Sequence, residues 1–253
     1  MAIRVAVTSG KGGVGKTTTV ANLGLALAKL GVDVTIVDAN FTTPDLSLHF
    51  GTPATDKTIH HALAGIIPIE QAVHIHKSGL KIVPASLSLD DLKRADYGNL
   101  RKIVENIPGE VVIFDTAAGL GDEMQAVLSV VDKCVLVTNP EWPAITDALK
   151  AAIVSESLGA SVEGVIINKF KGDKFEPSPS SIESVLDTPV LAIIPNDDSV
   201  RASIATKNPV VISSPSSYAA EAYRKLACDI IGVPYKPLHR FSLQRVFDSI
   251  FGK

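Results

Sequence analysis

Residues Gly10-Lys11-Gly12-Gly13-Val14-Gly15-Lys16-Thr17-Thr18 put four glycines into six consecutive positions, between an aliphatic run at Ile3–Thr8 and a helical pattern over residues 16–30. Few folds accommodate such a stretch. The chain must leave a buried strand, turn tightly, and enter a helix whose first backbone N–H groups have no carbonyl partners. Those N–H groups, together with the helix dipole, form a nest for phosphate oxygens. The order G-x-x-x-x-G-K-T adds Lys16 to neutralise β- and γ-phosphate charge and the Thr17 hydroxyl to ligate Mg²⁺. This predicts a site for an ATP-type nucleotide.

The rest of the chain repeats the alternation. Further aliphatic runs occur at Val34–Val37, Leu80–Val83, Val111–Phe114, Lys133–Val137, Gly164–Ile167 and Val190–Ile194. Helical spacing of three and four recurs over residues 120–131, 144–158 and 216–231, with Gly31, Gly159 and Gly232 placed to end three of the helices. Aromatic residues make up only 5% of the sequence, so the core is built from Val, Ile, Leu and Ala, as in strands buried on both faces. The expected fold is a three-layer, doubly wound α/β domain over residues 1–233, with a mainly parallel sheet and helices on both faces. The polar, proline-containing stretch 171–181 reads as a surface loop, and Pro234 and Pro237 set off residues 234–253 as a linker and a separate short element.

In Val111-Val112-Ile113-Phe114-Asp115-Thr116-Ala117-Ala118-Gly119 an apolar strand carries a carboxylate to its C-terminal edge, where open α/β sheets bind ligands. Beside a phosphate loop, Asp115 is expected to hold Mg²⁺ through water. Gly119 and Gly121 allow the following segment to respond to a γ-phosphate.

Lys11, at the start of the loop, makes it a deviant Walker A sequence. Together with Ile36-Val37-Asp38-Ala39-Asn40, Asp115-Thr116-Ala117-Ala118-Gly119, Val137-Thr138-Asn139-Pro140-Glu141, Asn168-Lys169 and Ile194-Pro195-Asn196-Asp197, it resembles the MinD/ParA group of dimerising ATPases over essentially the whole chain, and the MinD branch most. The resemblance implies a P-loop NTPase fold of the SIMIBI type. It also implies an ATP-dependent homodimer that sandwiches two nucleotides, with Lys11 reaching the partner's phosphates. A cation supplied in trans makes hydrolysis depend on dimerisation. The same resemblance places Asp38 near Mg²⁺, Asn168, Pro195 and Asp197 around adenine, and Glu141 against ribose across the dimer.

The sequence departs from the family at one informative position. The family usually reads Asp-x-Asp after its second strand, with the second carboxylate near the attacking water; here that residue is Asn40. A carboxamide can orient water but cannot take a proton. Binding and dimerisation are therefore expected to survive while hydrolysis is slow. Asn40 is compatible with a native slow enzyme, with a substitution that traps the bound state, and with a neutral switch-loop variation, because alignment dominates phosphoryl transfer.

On a helical wheel, residues 238–251 gather Leu243, Val246, Phe247, Ile250 and Phe251 on one face. Four cations against one acid over residues 236–253 give the tail a charge of +3, leaving −6 of the total −3 on the body. A basic, amphipathic terminal helix fits an anchor on an anionic membrane surface, as MinD proteins carry, and two such helices in one dimer bind more tightly than one. Packing on protein is the competing reading. The expected location is cytoplasmic, peripheral to the inner face of the membrane, and the expected partner is an unidentified regulator or cargo protein.

Three rivals share the superfamily. A ParA-like partition ATPase would bind DNA, but the acidic body with scattered Lys and Arg speaks against nucleic acid. An iron–sulfur carrier needs paired thiolates, whereas Cys134 and Cys228 stand singly in apolar patterns and are expected to be reduced and structural. A flagellar-number regulator resembles the chain in loop and tail but carries an extra helix ahead of its first strand.

Overall fold

A computed structural model describes residues 2–52 and 55–237. The strands are β1 (Ile3–Thr8), β2 (Val34–Ala39), β3 (His74–Ile75), β4 (Lys81–Val83), β5 (Val111–Thr116), β6 (Lys133–Thr138), β7 (Ser161–Phe170) and β8 (Val190–Pro195). They form one sheet in the order β3-β4-β2-β5-β1-β6-β7-β8, parallel except for the short β3–β4 edge pair. From β1 the chain winds outward to β2 and back to β5 on one side, then through β6, β7 and β8 on the other. The loop after β1 therefore opens at the switch point of a doubly wound sheet, over the carboxyl ends of β2 and β5.

The helices are α1 (Lys16–Lys29), α2 (Leu46–Phe50), α3 (Ile59–Leu63), α4 (Leu89–Arg94), α5 (Leu100–Val104), α6 (Asp122–Leu128), α7 (Trp142–Ser157), α8 (Pro179–Leu186), α9 (Asp198–Ala205), α10 (Val210–Ser213) and α11 (Tyr218–Ile231). One face of the sheet packs on α1, α2, α10 and α11 through Val20, Leu27, Phe50, Val210 and Tyr223. The other packs on α3, α5, α6, α7 and α8 through Leu63, Leu100, Leu128, Ile145 and Ile182. Every residue of β2 is buried, as a strand covered on both faces requires. Cys134 and Cys228 are both free and buried.

The long elements lie where their periodicity predicts, while the one- and two-turn helices α2 to α5 were not expected. The stretch 171–181 is a loop only as far as Ser178, whose hydroxyl accepts the Ser181 N–H and caps α8, with Pro179 at its first position. No helix of the described residues is long and apolar enough to cross a membrane. The expected helix at 238–251, with Leu243, Val246, Phe247, Ile250 and Phe251, lies outside the described residues.

Candidate functional site

The loop from Ser9 to Gly15 turns over the end of β1 and enters α1 at Lys16. Gly15 sits in the left-handed region at φ 102°, and a β-carbon there would lie 2.1 Å from Asn168 Nδ2. Glycine is thus required by the turn, and a β-carbon would also displace the Asn168 side chain that reaches over from β7. Lys16 Nζ donates to Ser9 Oγ at 3.1 Å, and Ser9 Oγ donates to the Lys11 carbonyl at 2.7 Å, so the ammonium is held under the loop. Burial pushes the Lys16 pKa down, while the charges of Asp115 and Asp45 oppose that shift.

Two carboxylates lie beneath. Asp38 and Asp115 are register partners on β2 and β5 and are almost fully inaccessible. Asp38 is already committed: its Oδ1 accepts the Asn40 N–H at 3.3 Å and its Oδ2 the Leu46 N–H at 3.1 Å. Burial, followed by the neighbouring Asp115 charge, raises its pKa well above the ordinary value. Neither oxygen of Asp115 has a hydrogen-bond partner. Burial raises its pKa to about 7; the nearby Thr17 hydroxyl, whose proton lies on Asp45, and Lys16 pull it down, and the Asp45 charge adds to the rise. A buried carboxylate without partners is costly unless a cation completes it. Among the described residues no three carboxylate, histidine or cysteine side chains form a cage by themselves. Mg²⁺ takes one or two protein ligands beside phosphates and waters. Asp115 and Thr17 are the residues that would hold it.

Between β2 and α2 the chain makes a compact loop. Asn40 Nδ2 donates to the Thr43 carbonyl, and the Thr43 hydroxyl donates back to Asn40 Oδ1 at 3.0 Å. Thr42 donates its N–H, at 3.3 Å, and its hydroxyl to the Glu123 carboxylate on α6, tying this loop to the segment that follows Asp115. Phe41 is buried, stacked on Tyr97 with ring centroids 4.9 Å apart.

A cavity of about 620 Å³ opens over the loop, the size of a small-ligand site. Its phosphate end is lined by Gly12, Gly13, Gly15, Lys16, Thr17, Thr18, Asn40 and Asp45, its far end by Asn168, Lys169, Pro195, Asn196, Asp197 and Arg201. The far wall is strapped to the loop. Asn168 Nδ2 donates to the Val14 carbonyl and Lys169 Nζ to the Gly13 carbonyl, each at 2.7 Å.

Several predicted residues have other work in the fold. Gly10 is a packing glycine: a β-carbon there would fall 2.1 Å from the Asp147 carbonyl oxygen on α7. The Val14 side chain is in the core, and its carbonyl accepts the Asn168 amide. Asp197 spends one oxygen on the Ser199 N–H at 2.8 Å and the other on the Ala219 N–H at 3.2 Å, so it caps α9 and ties it to α11. Lys11 lies outside the cavity and pairs with Glu141 of its own chain at 3.6 Å, both side chains exposed. Glu141 borders a neighbouring hollow that shares Lys169 and Asn196 with the main one. Nothing in the sequence singles out Asp45, Lys169 or Arg201 for the cavity. Asn168-Lys169 stands as a pair in the sequence, yet only the fold brings the lysine onto Gly13.

Residues 5–210 match the CobQ/CobB/MinD/ParA nucleotide binding domain. An uncharacterized ATP-binding protein of Methanocaldococcus jannaschii is 37% identical over 93% of this chain and 90% of its own. The septum site-determining protein MinD of Thermotoga maritima is 32% identical over 90% and 88%. Among solved structures, the septum site-determining protein MinD from Pyrococcus horikoshii, complexed with Mg-ADP, superposes with a TM-score of 0.87 at 31% identity, covering 91% of this chain and 96% of that one. A MinC:MinD cell division protein complex from Aquifex aeolicus gives 0.82 at 30% identity, covering 95% and 100%.

Proposed function

Because the chain belongs to the CobQ/CobB/MinD/ParA nucleotide-binding family, we propose that it is a MinD-type ATPase: it binds Mg·ATP, dimerises on it, and uses the dimer to attach reversibly to a membrane and position other proteins. The observation that carries this reading is the buried, partnerless Asp115 carboxylate beneath Thr17 and Lys16, two residues that line the phosphate end of the cavity, an arrangement suited to a cation that arrives with phosphates. When bound, Mg²⁺ neutralises β- and γ-phosphate charge and so eases bond breaking. The chain's own residues do the rest. Loop N–H groups and Lys16 bind the phosphates, the Asn168–Lys169 strap holds the base side in register with them, and Asn40 faces the γ-phosphate end without a charge. Hydrolysis is then a slow timer.

Dimerisation enters through Lys11. Its partner Glu141 is exposed and the pair is loose at 3.6 Å, so little energy holds the ammonium in cis, and it is free to exchange Glu141 for a second subunit's phosphates. Residues 1–233 form the ATPase domain on this reading, and 234–253 the linker and amphipathic membrane-targeting helix. The regulator or cargo is a protein on this reading, in keeping with the MinC:MinD complex of the Aquifex aeolicus relative.

Light scattering and co-sedimentation test the proposal together. We expect monomer with ADP, dimer with Mg·ATP, and ATP-dependent pelleting with anionic liposomes that Phe247→Glu abolishes. Equal pelleting in every arm would overturn the membrane reading. ATP-independent, salt-sensitive binding to DNA would favour a partition ATPase instead.

A further inference from the structure

Thr17 follows the phosphate-binding lysine, and its hydroxyl proton already has an acceptor, Asp45 Oδ1 at 2.9 Å, from 28 positions further along the chain. A hydroxyl that binds a cation through a lone pair needs somewhere to send its proton. A carboxylate acceptor fixes the rotamer so that the lone pair faces the metal and becomes a better donor. Asp45 also lines the cavity at its phosphate end.

The local structure gives Asp45 an ordinary alternative that it does not take. It stands at the N-cap of α2, where an aspartate would normally accept a helix N–H, yet it makes no capping hydrogen bond. The loop delivers it to Thr17 instead. Asp38 clamps both ends through the N–H groups of Asn40 and Leu46, and the paired Asn40–Thr43 bonds tighten the middle, leaving Asp45 beside its clamped neighbour Leu46. The usual carboxylate at position 40 is missing, and a different carboxylate enters the site five residues later.

We propose that Asp45 is a positioning residue for the divalent cation: it accepts the Thr17 hydroxyl hydrogen, turns that oxygen's lone pair toward the metal, and adds negative charge beside Asp115. This rests on the ATPase reading above. Asp45 acts on capture of the cation, and Asn40 on the pace of hydrolysis.

The test is the Mg²⁺ dependence of binding of a fluorescent ATP analogue to the full chain, repeated with Mn²⁺ and in EDTA. In Asp45→Asn the cation concentration at half-saturation rises by about tenfold or more. Affinity in EDTA is unchanged or tighter, because a negative charge near the phosphates is gone. Asp45→Glu recovers part of the response, and Asp45→Asn weakens it less in a Thr17→Ala background than in the unaltered chain, because the oxygen that Asp45 orients is already gone and only its charge is left to lose. Unchanged cation dependence in both Asp45 variants, or equal weakening with and without metal, would overturn the proposal. Failure of the unaltered chain to bind the analogue would overturn the nucleotide reading, and Asp45's role with it.

Discussion

Asp38 and Asp115 face each other across adjacent parallel strands as register partners, both sealed from solvent, and only Asp38 has its oxygens satisfied. The pair is therefore an electrostatic burden on the fold at the place where a cation would be received.

That burden has a pH dependence of definite sign. Asp115 has its pKa raised from 3.8 to about 7, so between those values the native chain holds a proton the unfolded chain has lost, and stability falls as pH rises through this window. Thermal denaturation without nucleotide should give a higher Tm at pH 5.5 than at pH 8. Asp115→Asn should raise the pH 8 value and flatten the slope, at a shift of roughly 2–4 °C per kcal/mol for a domain of this size. A slope that Asp115→Asn leaves unchanged would remove this account.

At Asn40 the structure sets stability and turnover against each other. Aspartate there cannot donate to the Thr43 carbonyl, so Asn40→Asp should cost about 1 kcal/mol of nucleotide-free stability. The same variant restores a group able to take a proton and should speed turnover by about tenfold or more. Urea denaturation and phosphate-release assays read the two effects separately, and equal rates would mean that position 40 does not limit hydrolysis.

The Lys11–Glu141 pair is exposed, and breaking it with Glu141→Gln should change stability by no more than about 0.5 kcal/mol. Lys11→Ala should be equally harmless to folding while abolishing ATP-dependent dimerisation and hydrolysis. A dimer that forms normally in Lys11→Ala would confine the lysine to its own subunit.

Gly10 and Gly12 separate packing from phosphate binding. A β-carbon at Gly10 collides with the backbone of α7, whereas one at Gly12 meets only Ala118 Cβ, at an ordinary 3.7 Å. Gly10→Ala should lose about 2 kcal/mol or more, with a matching drop in Tm, and Gly12→Ala much less. Similar losses in both would mean that α7 yields easily.

Parallel strands were legible because burial on both faces writes an uninterrupted aliphatic run, and the phosphate loop because its glycines and lysine have few other uses. The short helices α2 to α5 were not, since five or six residues span too little of the helical period to leave a pattern. The antiparallel β3, only His74 and Ile75, carries no strand signal at all. Asp45 went unread for a different reason. After a proline in a polar loop an aspartate looks like a cap, and only the tertiary path that brings it against Thr17 gives it another meaning. Asp197 is the reverse case, a residue in a suggestive motif whose carboxylate the fold spends on two helix termini.

The bonds from Thr42 to Glu123 join the loop after β2 to the segment after β5. In most machines a sensor with two moving parts can report contradictory states. Here the two parts are joined directly, so a displacement of either has to stretch or break these bonds or carry the other with it. On the ATPase reading, the two segments that border the phosphate end of the cavity are thereby biased to report one state together.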